Sequence, residues 1–177
     1  GGTARRHAAG FSIGNKGYIG TGDSLGGRKD FWEYDPAGNN WVQKASFPGT
    51  GRMKAAGFSI DNKGYIGTGD STGIQFDFWQ WTPALNNWVP MAAMATGRSA
   101  PACFVVGSRA YVGTGLNGND MNDLLEFNSY CTPSYNYACS SQDYINNFSF
   151  NTLVKNNSGC NGNTNNYIHD ASVTTSV

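Results

Sequence analysis

The string AAGFSIGNKGYIGTGDS occupies residues 8–24, and AAGFSIDNKGYIGTGDS occupies residues 55–71, 47 positions later. The similarity extends beyond this string, because Arg5–Ala45 aligns with Arg52–Ala92 without a gap and about two thirds of the positions are identical. A third, more diverged copy runs from Arg98 to Phe127. Self-similarity at a fixed period of this length is the signature of repeat folds, so this pattern decides the architecture.

Each copy carries the local signals of four short strands. In the first copy, Ala9–Ile13 and Gly17–Gly20 flank an Asn- and Gly-containing turn, which predicts a β-hairpin. Phe31–Tyr34 and Trp41–Lys44 follow, separated by a Pro-, Gly- and Asn-rich turn at residues 35–40. The sequence therefore predicts an all-β fold made of four-stranded units, which is the organisation of a propeller blade.

The composition excludes several classes of function. The chain has 177 residues, only 14% of them charged, and its formal net charge is zero, so it lacks the basic field of a nucleic-acid-binding protein. No apolar stretch approaches the roughly 18 residues that a membrane-spanning helix requires. With 24 glycines and many aromatic residues, the chain is typical of β-structure and has enough apolar residues for a packed core.

The copies resemble Kelch repeats over residues 3–128, which corresponds to about 2.7 repeats. The matching positions are an Arg before the first strand (Arg5, Arg52, Arg98), a Tyr-containing second strand that ends in glycines (Tyr18–Gly22, Tyr65–Gly69, Tyr111–Gly115), an aromatic residue in the third (Tyr34, Trp81, Phe127) and a Trp in the fourth (Trp41, Trp88). The adjacent glycines of the family are here split as Gly-Thr-Gly. The resemblance implies Kelch-type propeller blades.

A closed propeller takes about four to eight blades, so we expect upstream blades, assembly from several chains, or a covering partner.

The repeated aromatic side chains are expected to fill the space between blades rather than to form sites. This interpretation covers Tyr18, Trp32, Trp41, Tyr65, Trp79 and Trp88.

The composition changes after Phe127 to a polar, Cys-containing segment, so we divide the chain into a propeller portion at 1–129 and a second unit at 130–177. Alternation at Ile145–Phe150 and at Ser172–Val177 predicts strands there. The segment resembles the start of the GEVED-type β-sandwich modules of secreted Bacteroidetes proteins, on the strength of Tyr130-Cys131-Thr-Pro, the strand at 145–150, Asn157-Ser-Gly-Cys160, and Asn166-Tyr167 before Asp170. The resemblance implies type IX secretion, an extracellular or cell-surface location, and secretion-machinery components as partners.

Three of the four cysteines fall in this segment, where a small core would gain from a crosslink. A disulfide between Cys139 and Cys160 closes a loop of roughly 20 residues and would contribute about 3 kcal/mol in the chain-entropy model. Cys131 can replace either partner. Cys103 aligns with repeat glycines and is expected to be a small buried thiol. A metal site from the three cysteines and His169 is not expected, because the spacings are not those of a ligand set.

No catalytic residue, cofactor or metal is expected. His7 and His169 are the only histidines, and the second repeat has Lys54 in place of His7. The glycine-rich stretch 22–27 follows a strand without opening a helix, so it does not predict a phosphate-binding loop.

Two sets of repeated residues are candidates for function. Arg5, Arg52 and Arg98, together with Asp23 and Asp70, are predicted ligand-binding residues, since Arg can bind a carboxylate or sugar acid bidentately. Alternatively, each Arg binds backbone carbonyls or the Asp of an adjacent blade. Ser24 and Ser71 follow Asp in a pattern similar to the O-glycosylation acceptor of secreted Bacteroidetes proteins; the alternative is that they cap the turn.

These observations predict a non-catalytic recognition or adhesion portion of a large secreted or surface-bound bacterial protein. Its partner would be a glycan or a surface protein. Two alternatives remain open. One is an enzyme, an oxidase or a glycan-processing propeller, whose active site lies in blades outside this sequence. The other is a structural subunit that assembles through exposed blade faces.

Overall fold

The computed structural model describes residues 2–127, 147–149 and 152–153, and the fold in these ranges is all-β. Two antiparallel sheets of four strands come first, each with its strands in chain order. The first sheet contains β1 (Ala9–Ile13), β2 (Lys16–Gly20), β3 (Phe31–Asp35) and β4 (Asn40–Lys44). The second contains β5 (Ala56–Ile60), β6 (Lys63–Gly67), β7 (Phe78–Thr82) and β8 (Asn87–Met91), with a 3-10 turn at Pro83–Leu85 between β7 and β8. The four strands predicted for each copy are confirmed.

The third sheet contains β9 (Ala102–Val106), β10 (Arg109–Gly113), β13 (Leu124–Phe127), β14 (Asn147–Ser149) and β15 (Thr152–Leu153). A small hairpin of β11 (Leu116–Asn117) and β12 (Asn119–Asp120) lies between β10 and β13. The strands of the third sheet have the order β15-β14-β13-β10-β9. β14 pairs with β13, in the place that β4 and β8 take in the other sheets. Part of the segment assigned to a second unit therefore joins the third sheet, and the boundary at residue 129 stays a prediction.

The predicted disulfide residues Cys139 and Cys160 lie outside the described residues, as do Cys131, His169 and the strand predicted at 172–177.

Each sheet has two faces. We call the face toward the preceding sheet the leading face and the face toward the next sheet the trailing face. The first apolar cluster joins the trailing face of the first sheet to the leading face of the second and includes Tyr18, Phe31, Ile66 and Trp81. The second cluster joins the trailing face of the second sheet to the leading face of the third, with Phe58, Tyr65, Phe78, Val112, Leu125 and Phe127. The sheets are therefore stacked in chain order with an apolar layer between each pair.

The two interfaces are built alike because the residues repeat. A Phe and a Tyr stack on each trailing face: Phe11 on Tyr18 with ring centroids 5.5 Å apart, and Phe58 on Tyr65 at the same distance. An aromatic residue of the next sheet packs against the Phe that begins the third strand, with Trp81 5.0 Å from Phe31. Phe127 makes the equivalent contact with Phe78 at 4.9 Å.

The prediction of repeated core aromatics is confirmed for Tyr18 and Tyr65, which are buried. It is wrong for Trp41, whose side chain is 38% exposed, because no sheet in the described part of the chain covers the leading face that carries it. Trp32, Trp79 and Trp88 are half-buried. Trp32 and Trp79 each donate the indole N–H to an Asp of the same repeat, at 2.7 Å.

None of the described helical segments is long and apolar enough to cross a membrane.

Candidate ligand-binding surface

The predicted ligand-binding residues lie at one end of the stacked sheets, where the first strand of each repeat begins and the second ends. We call this the exit-loop end, after the loops at 21–30, 68–77 and 114–123 that leave the second strands. Gly22 N–H donates to the carbonyl of Arg52 at 2.8 Å, and Gly69 N–H donates to that of Arg98 at 2.7 Å. Because each of the first two exit loops is hydrogen-bonded to the start of the following repeat, the loops form one continuous surface.

A second set of backbone hydrogen bonds links the repeats at the same end. Lys54 N–H donates to the carbonyl of His7, and Ala100 N–H donates to that of Lys54, both at 3.0 Å. These three residues occupy equivalent repeat positions and share a left-handed backbone, with φ of 55°, 54° and 53°. The exit-loop end is therefore fixed from repeat to repeat by main-chain contacts that do not depend on the side chains.

The predicted ligand-binding arginines are buried in the scaffold. Arg52 donates from Nη1 to Asp77 Oδ1 at 2.6 Å and from Nη2 to Oδ2 at 2.9 Å. Two further hydrogen bonds go to backbone carbonyls. Nη1 also donates to the carbonyl oxygen of Thr68 at 2.9 Å, and Nε donates to that of Thr50 at 3.0 Å. The guanidinium carbon also lies 4.9 Å from the centre of the Phe47 ring. None of the Arg52 side chain is exposed.

The same pair recurs in the other repeats. Arg98 forms a bidentate pair with Asp123 at 2.7 and 2.8 Å and is also fully buried. Arg5 forms a bidentate pair with Asp30 and is 8% exposed. Each Arg thus binds the Asp of its own repeat rather than that of an adjacent one, together with backbone carbonyls. This geometry gives the arginines a positioning role, since each ties the start of the first strand to the residue before the third; direct ligand binding by them stays a prediction.

The sequence contained a signal for these pairs that was missed. The Arg and its Asp are separated by 25 residues in all three copies. A constant separation between residues of opposite charge in a repeat indicates a pair within the unit.

The ion pairs set the charge state of the carboxylates. The hydrogen bonds from Arg5 hold the pKa of Asp30 below its usual range, and they outweigh the opposing effect of partial burial. For Asp77, burial alone would raise the pKa, but the hydrogen bonds from Arg52 and Trp79 outweigh it and the pKa is lowered. Both side chains are therefore carboxylates at neutral pH.

Asp23 organises its own loop. Its Oδ1 accepts the N–H of Gly26 at 3.1 Å, and its Oδ2 accepts Arg6 Nε at 2.9 Å. Both contacts lower the pKa of Asp23, and the hydrogen bond from the Gly26 backbone has the larger effect. The Asp23 contact to Gly26 is the turn-capping arrangement expected of Asp in a loop. Asp70 occupies the equivalent place, where its backbone pairs with that of Met53. Ser24 and Ser71 are half-buried in these loops, and their glycosylation stays a prediction.

Apolar, basic and acidic side chains are exposed at the exit-loop end. Leu25 is fully exposed and Phe76 is 45% exposed. Basic residues of the first two repeats lie at the same end, comprising Arg6, His7, Arg28, Lys29 and Lys54, and so do the 36% exposed Asp77 and the exposed Asp120 of the third repeat. Arg28 donates from Nη2 to the carbonyl of Ser24 at 3.1 Å, and its buried Nε has no partner among the described residues.

The opposite end of the sheets carries a cavity that sequence analysis did not find. It has a volume of about 500 Å³, and its lining includes Ile13, Asp61, Lys63, Tyr65 and Pro83. These residues come from strands and turns of two repeats, and the repeat pattern itself does not predict a cavity there.

Two further site predictions concern cysteine and metal. The Cys103 thiol is half-buried rather than buried, donates to the carbonyl of Gly57 at 3.4 Å, and has its pKa raised by burial. Within the described ranges, no three His, Cys, Asp or Glu side chains are grouped as metal ligands.

No family model and no curated protein matches the chain. Solved structures do match, among them the structure of YjhT, with a TM-score of 0.63 and 23% sequence identity. The alignment covers 72% of this chain and 49% of YjhT, so the matched part spans about half the length of that protein. At this level of identity, the similarity shows a shared fold.

Proposed function

We propose that the chain is a portion of a secreted or cell-surface Kelch-type propeller protein that recognises an acidic glycan without catalysis, through the exit-loop end. The propeller assignment is supported by four-stranded antiparallel sheets that stack face to face in chain order. The secreted location and the type IX route rest on the sequence resemblance of residues 130–177.

One observation carries the recognition role: the hairpin of the first two strands is nearly identical in the first two repeats, whereas the exit loop that follows it differs. The hairpins at 8–24 and 55–71 differ at a single position, Gly14 against Asp61. The exit loops differ at four of the five positions in 25–29 against 72–76. Variable side chains on a fixed main-chain frame are the arrangement of a binding surface whose specificity is set by loops.

The basic side chains of the first two repeats favour an acidic ligand at their part of this surface. Lys29 is exposed and donates from Nζ to the carbonyl of Pro48 at 3.2 Å, Lys54 is half-buried, and Arg28 lies at the same end of the sheets. Basic side chains bind carboxylates through charge-assisted hydrogen bonds, and exposed apolar groups such as Leu25 can contact the carbon face of a sugar ring. A carboxylate-bearing oligosaccharide satisfies both requirements. A surface protein with an acidic patch is the second candidate.

Binding of the labelled full chain to an array of neutral and acidic oligosaccharides tests this proposal. We expect selective binding to carboxylate-bearing sugars that weakens as ionic strength rises. Lys29→Glu and Lys54→Glu should each lower the affinity by about tenfold, which corresponds to roughly 1.4 kcal/mol.

Lys63→Glu is the matched control, because Lys63 is exposed at the opposite end of the second sheet. It should leave binding unchanged. Equal loss with Lys63→Glu, or no binding to any oligosaccharide, would overturn the glycan proposal. Binding to a purified surface protein with loss in the Lys29 and Lys54 variants would instead identify the second candidate.

A further inference from the structure

The exit loop of each repeat turns back on itself at an exposed tip. Residues on the two sides of the tip pair with each other, namely Asp23 with Gly27, Asp70 with Ile74, and Leu116 with Asp120. The tip residues between them are exposed and comprise Leu25, Thr72 and Gly118. The first two tips are exposed although another repeat follows each of them. Exposure of the tip is therefore a property of the loop itself.

The third loop differs from the other two in the chemistry of its tip. Asn117 stands where the first two loops have Ser24 and Ser71, and the exposed Gly118 follows it. A glycine after an asparagine leaves the approach of the backbone nitrogen to the side-chain amide carbon uncrowded, because the glycine has no Cβ. The other two asparagines in the second half of this loop, at 119 and 122, are each followed by an aspartate.

The backbone of Gly118 is open at the atom that would react. Gly118 has a φ of 77°, and a Cβ added to it would meet nothing within 4 Å. Within the described part of the chain, the Gly118 N–H has no hydrogen-bond acceptor. On either side of it, the N–H groups of Leu116 and Met121 donate to the carbonyls of Ser99 and Gly115, both at 2.9 Å. The loop is thus held at its base, while the amide nitrogen at its tip is free to act as a nucleophile.

We propose that Asn117-Gly118 is a site of spontaneous deamidation that converts the tip of the third exit loop to an acidic form. The Gly118 nitrogen loses its proton to hydroxide and attacks Cγ of Asn117. The bond from Cγ to the side-chain nitrogen breaks, and that nitrogen leaves as ammonia after taking a proton from water, which restores the hydroxide. Water then opens the resulting cyclic imide. The net reaction consumes one water and releases one ammonia.

The imide can open at either of its two carbonyls, and both products change the loop. Opening at the bond from Cγ to the Gly118 nitrogen gives aspartate, and opening at the backbone carbonyl of residue 117 gives isoaspartate. Each product adds a carboxylate to the tip that already carries the exposed Asp120. Isoaspartate also places the Cβ of residue 117 in the main chain, and this longer backbone does not preserve the pairing of Asn117 with Asn119.

Incubation of the full chain at physiological temperature and mildly alkaline pH, followed by peptide mapping, tests the proposal. Digestion at acidic pH stops the reaction, and electron-transfer fragmentation distinguishes aspartate from isoaspartate. We expect the Asn117 peptide to gain the mass difference between a hydroxyl and an amino group, in a fraction that grows with time and with pH. Asn119 and Asn122 are controls in the same loop and should remain unconverted. The map keeps the second Asn-Gly of the sequence, at 161–162, separate.

Two variants take their residues from the other repeats. Asn117→Ser replaces the reactive amide with the serine of the first two loops and should abolish conversion at 117. Gly118→Leu gives the tip the leucine of the first loop, and Leu25 adopts the same left-handed backbone there, with a φ of 67°. This variant should lose most of the conversion, because the added side chain crowds the attacking nitrogen. Near-ultraviolet circular dichroism checks that both variants are folded.

Three results would overturn the proposal. The first is conversion of Asn117 in the folded chain that is no faster than conversion of Asn119. The second is conversion that occurs only when urea unfolds the chain, since the fold would then protect the tip. The third is undiminished conversion in a folded Gly118→Leu variant, because access of the Gly118 nitrogen would then not control the reaction.

Discussion

A buried guanidinium bound by a carboxylate recurs in every repeat, and it fixes the geometry of the exit-loop end. Arg52 has no exposed surface, while Asp77 remains 36% exposed. The two side chains connect the start of β5 to the start of β7, and the carbonyl of Thr68 accepts from the same guanidinium. The ammonium group of a lysine cannot form this bidentate contact, so we expect position 52 to require arginine.

Removing one Arg tests the positioning role. Arg52→Ala leaves the Asp77 carboxylate without its partner and two carbonyls without a donor, so the free energy of unfolding should fall by about 3 kcal/mol. Lys16→Ala removes an exposed pair with Asp35 and should cost no more than about 1 kcal/mol. Urea denaturation of both variants makes the comparison. Equal effects would show that the buried pair contributes no more than a surface pair.

The lowered carboxylate pKa values determine how stability depends on pH. The pKa values of Asp30 and Asp77 are lower in the folded chain than in the unfolded one, so their contribution is complete above the unfolded value. It is lost as pH falls through the folded value. We therefore expect the free energy of unfolding to be nearly constant between about pH 5 and pH 8 and to decrease below about pH 4. Urea titrations at pH 7 and pH 3 measure this change, and Asp77→Asn should make it smaller. An Asp77→Asn variant with the full pH dependence would contradict the assignment.

The strands could be predicted from the sequence because each is a local pattern of alternation bounded by turn residues. β1 to β4 appear as predicted to within one residue at each end. The Gly-Thr-Gly sequence that ends each second strand follows from the backbone conformation there. The Thr adopts a left-handed φ of 56–58°, and the Gly after it has φ near 90° beside the backbone of the repeat start. The β11–β12 hairpin was not predicted, since it occurs only in the diverged third copy.

The approach of neighbouring sheets depends on small residues in the second strand. Gly64→Ala would place a methyl group within the Phe11 ring, so we expect a loss of about 1–3 kcal/mol in the free energy of unfolding. Gly73→Ala is the control, because an added Cβ there meets nothing within 4 Å. Thermal denaturation should show a lower midpoint for Gly64→Ala alone. A midpoint unchanged by Gly64→Ala would mean that the sheets are not packed as closely as described.

At the scale of the whole molecule, the repeat predicted stacked units and the burial of Tyr18 and Tyr65, but not that equivalent residues of different units would differ in exposure. Trp41 and Trp88 have the same local sequence, yet Trp88 donates to the carbonyl of Ala45 in the preceding unit and Trp41 has no such unit in the described chain. The Arg–Asp pairs were missed for a related reason. The course of an exit loop brings the two partners together, and the sequence shows this only in the 25-residue separation that all three copies share. The ligand, the glycosylation and the secreted location stay predictions.

The central claim is that specificity lies in the side chains of the exit loops and stability in the frame beneath them. Giving residues 72–76 the sequence of residues 25–29 changes only the loop, through Thr72→Leu, Ile74→Gly, Gln75→Arg and Phe76→Lys. The most direct test is the affinity of this variant, by calorimetry, for the acidic oligosaccharide that the unaltered chain binds. The account predicts severalfold tighter binding from the two added cations, with the free energy of unfolding changed by less than about 1 kcal/mol. A folded variant with unchanged or weaker affinity would contradict it.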